Sequence, residues 1–109
     1  MLKFIEKGEA PFQGWALDSA GPFPLDADGN RYLIAAIDPF SKWVEAIAVP
    51  TLHSWRTAEF LYDLTVKWGK PLWVRTDNGV EYKGSFDRLC SGLAIAHHQI
   101  TAGNSKANG

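Results

Sequence analysis

Tyr32-Leu33-Ile34-Ala35-Ala36-Ile37-Asp38-Pro39-Phe40-Ser41-Lys42-Trp43-Val44-Glu45-Ala46 is the stretch on which the fold class turns. Its first six residues are apolar on both alternating faces, which predicts a central strand covered on both sides rather than an exposed edge. Asp38-Pro39 ends that strand, because Pro39 has no backbone donor and Asp38 can hold its own turn through its side chain. Residues 43–49 resume a strand-like pattern and stop at Pro50, so the pair reads as antiparallel strands joined by Pro39-Phe40-Ser41-Lys42.

Toward the N-terminus, Trp15-Ala16-Leu17-Asp18 reads as a brief strand whose last residue is a carboxylate, closed by Gly21-Pro22. Residues 24–30 are a turn by composition, and residues 1–11 a lead-in. Toward the C-terminus the period changes. Ala58, Leu61, Tyr62, Thr65 and Trp68 fall at spacings of three and four, which predicts a helix over 54–68 with these residues along one stripe. Ser54 is its expected N-cap, and Gly69 and Pro71 its stop. Residues 72–76 give a short strand running into Asp77-Asn78-Gly79. A second helix is expected from an N-cap at Ser85 through Phe86, Leu89, Cys90 and Leu93, and residues 95–101 form a last strand. The order, three strands, helix, strand, helix, strand, predicts an α/β sheet. Its first three strands are antiparallel and its helices cross over to parallel ones.

Composition narrows the class. With 109 residues, 46% hydrophobic and 21% charged, the chain has the balance of one globular domain and no room for a second. Eleven Lys plus Arg face twelve Asp plus Glu, so no basic field announces a nucleic-acid or membrane partner. Cys90 is the only cysteine, which excludes an internal disulfide framework or a multi-cysteine zinc site and suits a reducing compartment. The N-terminal residues lack the apolar run of a signal peptide, and no window reaches the length of a membrane span.

Asp18 and Asp77 stand where strands are expected to give way to loops. Ligand and catalytic groups of open α/β sheets collect at such strand ends. On neighbouring strands, about 4.8 Å apart, two carboxylates can share one hard cation such as Mg²⁺. Taken alone, Asp-Asn-Gly is as well explained by a turn.

The surrounding text adds to this. Trp15-Ala16-Leu17-Asp18-Ser19-Ala20-Gly21-Pro22 resembles the W-x-x-D-x-x-G-P opening of the integrase catalytic core of retroviruses and long-terminal-repeat retrotransposons. Residues 32–46 are similar to its Y-L-x-x-x-I-D-x-F-S-K-W-x-E-A block. Gly69-Lys70-Pro71, with Arg75-Thr76-Asp77-Asn78-Gly79-Val80-Glu81-Tyr82, is similar to its G-x-P and T-D-N-G-x-E-F segments. His97 and residues 100–109 resemble the approach to its third motif.

The resemblance implies a ribonuclease H-like fold, a five-stranded mixed sheet whose first and fourth strands are adjacent. Residues 12–109 would form the core domain, with the family's C-terminal helices missing. It implies that Asp18 and Asp77 are the first two carboxylates of an Asp, Asp, Glu triad holding Mg²⁺ or Mn²⁺. The implied reactions are trimming of element DNA ends and their joining to target DNA. Implied partners are DNA and further copies of the intact parent, and the implied place of action is the nucleus. DNA contacts are expected at Asn78, Lys83, Asn104 and Lys106, near the carboxylates.

The sequence also departs from the pattern. The family's glutamate follows the Asn-Gly of the last motif by three positions and is expected just beyond Gly109, and Glu81 does not match it. The 109 residues alone are therefore expected to bind metal weakly and to show little or no strand transfer. A non-catalytic ribonuclease H-like module retained for DNA or protein binding is the alternative. Ala94 stands where the family has a glycine in a left-handed turn, at a cost of about 1 to 2 kcal/mol unless Gly92 ends the helix earlier. The family's N-terminal zinc ligands are absent, and Cys90 near His97 and His98 reads as a buried thiol rather than a metal ligand. Trp15, Trp43 and Trp68 are expected in the core.

Overall fold

The computed structural model describes residues 10–101. Its strands are β1 (Gly14–Ala20), β2 (Tyr32–Ile37), β3 (Val44–Val49), β4 (Trp73–Thr76) and β5 (Ala96–Gln99). Helix α1 (Ser54–Trp68) links β3 to β4, and a 3₁₀ turn (Val80–Tyr82) followed by helix α2 (Ser85–Gly92) links β4 to β5. The sheet order is β3-β2-β1-β4-β5. β1, β2 and β3 pair antiparallel, while β1 with β4 and β4 with β5 are parallel. The mixed α/β sheet and the adjacency of β1 and β4 agree with the sequence reading.

Trp15, Leu17, Ile34, Ala36, Val49 and Val74 point to the helix-covered face and pack with Phe60, Leu61 and Leu64 of α1 and Phe86 and Cys90 of α2. The expectation that β2 is covered on both sides is corrected. Ile34 and Ala36 are buried, but Leu33 and Ile37 are exposed on the other face, which no described helix covers. An all-apolar strand does not by itself say whether both of its faces are covered.

Three local expectations also change. β1 runs two residues past Asp18, which pairs with Ala35, because the hairpin with β2 continues to Ala20. The buried stripe of α1 is Thr57, Phe60, Leu61 and Leu64, with Tyr62 exposed, so the helix is rotated from the predicted face. Ser54 does not cap α1; its Oγ accepts the Ser85 N–H at 3.2 Å and so ties the starts of the two helices together. Ser85 in turn is the first residue of α2 rather than its cap, which is Gly84.

At the end of α2, Ala94 itself takes the left-handed conformation, at φ 58°, and Gly92 does not relieve it. Ile95 N–H reaches Cys90 O at 2.8 Å and Ala94 N–H reaches Ser91 O at 3.2 Å, the paired bonds of a Schellman end.

Asp38 holds its turn as expected and does more. It is buried and accepts from Phe40 N–H at 3.2 Å, from Ser41 N–H at 3.3 Å and Oγ at 2.7 Å, and from Phe12 N–H at 3.0 Å. Trp15 is buried in the core, but Trp43 is not a core residue; it is 48% exposed. Its Nε1 and that of Trp68 both donate to Glu45 Oε2 at 2.9 Å, and Lys67 Nζ donates to Oε1 at 2.9 Å.

Candidate active site

The parallel register of β1 and β4 pairs Gly14 with Trp73, Trp15 with Val74 and Ala16 with Arg75. Continued two residues along each chain, it brings Asp18 level with Asp77, so the sheet itself places the two carboxylates side by side. Each is half engaged. Asp18 Oδ1 accepts the Ser19 N–H at 2.9 Å, and Asp77 Oδ1 accepts the Gly79 N–H at 2.8 Å. Neither Oδ2 receives a hydrogen bond from the described residues, so each keeps an oxygen free for a cation. The turn reading and the metal reading of Asp-Asn-Gly are thus compatible, since one oxygen serves each.

The loop after β4 folds back over this pair. A Cβ placed on Gly79 would lie 2.5 Å from Glu81 Oε1 and 3.0 Å from Asp77 Oδ1, so the two carboxylates close in on either side of this glycine. Thr57 Oγ1 of α1 donates to Glu81 O and holds the 3₁₀ turn from beneath. Tyr82 is buried and its hydroxyl bonds Ser19 Oγ at 2.5 Å, which connects the turn to the residue after Asp18. Burial pushes the Tyr82 phenol well above its ordinary range; the charges of Glu81, Asp77 and Asp18 add to this and the Ser19 bond opposes it. The phenol therefore keeps its proton at neutral pH and serves as a hydrogen-bonding strut. Three acidic side chains act on this one hydroxyl, which marks where negative charge concentrates. Even so, among the described residues no group of three His, Cys, Asp or Glu side chains converges closely enough to hold a metal ion.

Of the residues expected at DNA, Asn78 and Lys83 lie together on the exposed rim, Lys83 Nζ donating to Asn78 Oδ1 at 3.2 Å. Asn104 and Lys106 lie outside the described residues. Cys90 is buried, and burial, followed by the charge of Asp87, pushes its thiol up to about 12, so it is neither a ligand nor a nucleophile.

The fold has counterparts. The Integrase core domain family matches residues 8–105. The chain belongs to that family. It is 31% identical over 110 residues to the retrovirus-related Pol polyprotein from transposon 412 of Drosophila melanogaster, covering 94% of this chain and 9% of that one. It is 28% identical over 92 residues to the Gag-Pol polyprotein of avian reticuloendotheliosis virus, covering 83% and 8% respectively. The chain thus spans less than a tenth of the length of these relatives. A chain of the cryo-EM structure of the simian T-cell lymphotropic virus intasome, in complex with the PP2A regulatory subunit B56 gamma, superposes with a TM-score of 0.77 at 26% identity. That match covers 92% of this chain and 36% of the other. No described helix of this integrase core is long and apolar enough to cross a membrane.

Sequence reasoning singled out Asp18 and Asp77 but missed the residues that pack and bond around them. Ser19 and Tyr82 carry no local signal for their contact, because they are 63 positions apart.

Proposed function

We propose that this integrase core domain contributes two carboxylates, Asp18 and Asp77, to a divalent-metal site for phosphodiester chemistry on DNA, with Mg²⁺ or Mn²⁺ as the cation. The observation that carries this is the level placement of the two acids on adjacent parallel strands, each with one oxygen unengaged. Oxygen-only, anionic donors suit a hard cation that retains water. When bound, such an ion activates the attacking oxygen and stabilises the leaving one. The chain's own contribution is positional. Gly79 N–H and Ser19 N–H orient the carboxylates, and the buried Tyr82 strut locks the loop after β4 against β1.

Family membership supports DNA as substrate, and Asn78 and Lys83 on the rim offer an amide and a cation to its backbone. With a formal net charge of −1, the domain is expected to hold DNA weakly and in a salt-sensitive way. DNA-end processing and joining, assembly of several copies, and action in the nucleus are carried over from the family as part of this proposal. A second reading, a ribonuclease H-like module that binds without catalysing, draws support from the absence of a three-residue ligand set among the described residues.

Titrating Mn²⁺ into the 109-residue chain while following amide line broadening tests the site. Broadening confined to residues around Asp18 and Asp77, and lost in Asp77→Asn, is expected. Metal-dependent nicking or joining of oligonucleotide DNA separates the two readings. Little activity is expected from the 109 residues, and robust turnover abolished by Asp77→Asn would overturn the expectation of weak function in this chain.

A further inference from the structure

A hydrogen-bonded chain runs from the surface of α2 to the peptide of Asp77. Asp87 Oδ1, on α2, lies 2.7 Å from His97 Nδ1. His97 Nε2 lies 2.8 Å from Thr76 Oγ1, and Thr76 Oγ1 lies 2.8 Å from Asp77 O. The His97 side chain is only 7% exposed and packs edge-on against Phe86, with ring centroids 5.0 Å apart. With its side chain nearly buried against Phe86, the imidazole is tolerated because both nitrogens have partners.

An ionised carboxylate only accepts, so Nδ1 carries a hydrogen toward Asp87, and this fixes the ring's orientation. The Thr76 hydroxyl has one proton and lies between Nε2 and Asp77 O, so the ring sets where that proton points: to Asp77 O when Nε2 donates, and to Nε2 when it accepts. Carboxylate, imidazole and hydroxyl in sequence match the order of a nucleophilic triad. Thr76 is 1% exposed and its hydroxyl faces its own backbone, so no substrate reaches it. What the chain can transmit is position.

Asp77 is the recipient. Its backbone carbonyl lies 2.8 Å from Thr76 Oγ1 and its Oδ1 accepts the Gly79 N–H at 2.8 Å, which leaves Oδ2 without a hydrogen bond among the described residues. We propose that His97 is a positioning residue for Asp77, acting through Thr76 and itself oriented by Asp87. This rests on the reading of Asp77 as a metal ligand.

Mn²⁺ is the probe, with affinity read by the electron paramagnetic resonance of the free ion and the Asn78 and Gly79 amide resonances followed in the metal-free chain. His97→Phe keeps a buried ring against Phe86 and removes both nitrogens. Thr76→Val keeps the branched shape and removes the hydroxyl, and Thr76→Ser restores it. Both His97→Phe and Thr76→Val are expected to weaken Mn²⁺ binding about tenfold, as for other groups one step removed from a metal's ligands. Both should also shift the Asn78 and Gly79 resonances, while Thr76→Ser binds as the parent chain does. If His97→Phe does not fold, Thr76→Val against Thr76→Ser decides alone. Wild-type affinity in the two hydrogen-bond deletions, alongside loss of binding in Asp77→Asn, overturns the positioning role and leaves the metal site standing. Unchanged binding in Asp77→Asn removes the metal site and the positioning role together.

Discussion

The two ends of the sheet use the same chemical group in opposite ways. At one end, Asp38 and Glu45 are saturated: Asp38 takes four donors and Glu45 takes three. At the other, among the described residues, Asp18 and Asp77 each take a single local N–H and keep one oxygen unengaged. A buried carboxylate whose lone pairs are all used holds the fold together, because removing it strands its donors. A carboxylate with an idle oxygen at a strand end adds little to the fold and is available to a ligand. Counting donors therefore separates structural acids from candidate functional ones.

The largest expected effect tests the saturated end. Asp38→Ala leaves the N–H groups of Phe12, Phe40 and Ser41 unpaired and should destabilise by about 3 kcal/mol. For a domain of this size that is a fall of roughly 15 °C in the melting midpoint, measurable by circular dichroism. Glu45→Gln should lose about 1 to 2 kcal/mol at neutral pH, since the donors of Trp43, Lys67 and Trp68 lose their charged acceptor.

That loss carries a pH signature. Partial burial raises the Glu45 pKa, but the bonds from Trp43, Lys67 and Trp68 and the charge of Lys67 outweigh it and hold the carboxyl below its ordinary 4.5. A folded-state pKa below the unfolded one gives stability that is complete above the ordinary value and lost as pH falls through the lowered one. Urea midpoints against pH should thus converge for wild type and Glu45→Gln in acid. Parallel curves would show that Glu45 contributes no charge-dependent stability.

Two further substitutions should cost the fold little or nothing. Ala94→Gly relieves the left-handed strain that ends α2 just before β5 and should stabilise by about 1 kcal/mol, raising the urea midpoint. Asp77→Asn keeps an oxygen for Gly79 N–H and should change stability by less than about 0.5 kcal/mol while abolishing any rise in melting midpoint on adding Mn²⁺. If Asp77→Asn destabilised as much as Asp38→Ala, the contrast between the two ends would collapse.

Much of this was legible in advance. The strand-turn-strand stretch at 32–46, the helix over Ser54–Trp68 and the position of Asp77 before a turn all rest on alternation, periodicity and turn chemistry, which act over a few residues. The face of α1 was misplaced because a stripe through Tyr62 and one through Phe60 and Leu64 are similarly apolar, and only packing on β1 and β2 selects between them. Trp43 was expected inside because indoles are large and apolar. It sits at the surface because Glu45 offers its Nε1 a carboxylate. The Ala94 turn is the reverse case: the strain was foreseen from sequence, and the fold accepts it rather than moving the helix end to Gly92.

The sequence by itself determined the order of elements, the turn at Asp38 and the acid that follows β4, because each depends on neighbours within a turn or an alternation. Only the tertiary structure decided which acids have spare oxygens, that Ser19 meets Tyr82, and that Asp87, His97 and Thr76 line up behind Asp77. Those contacts join residues 10 to 63 positions apart, and they exist only once the sheet order and register have set which side chains meet.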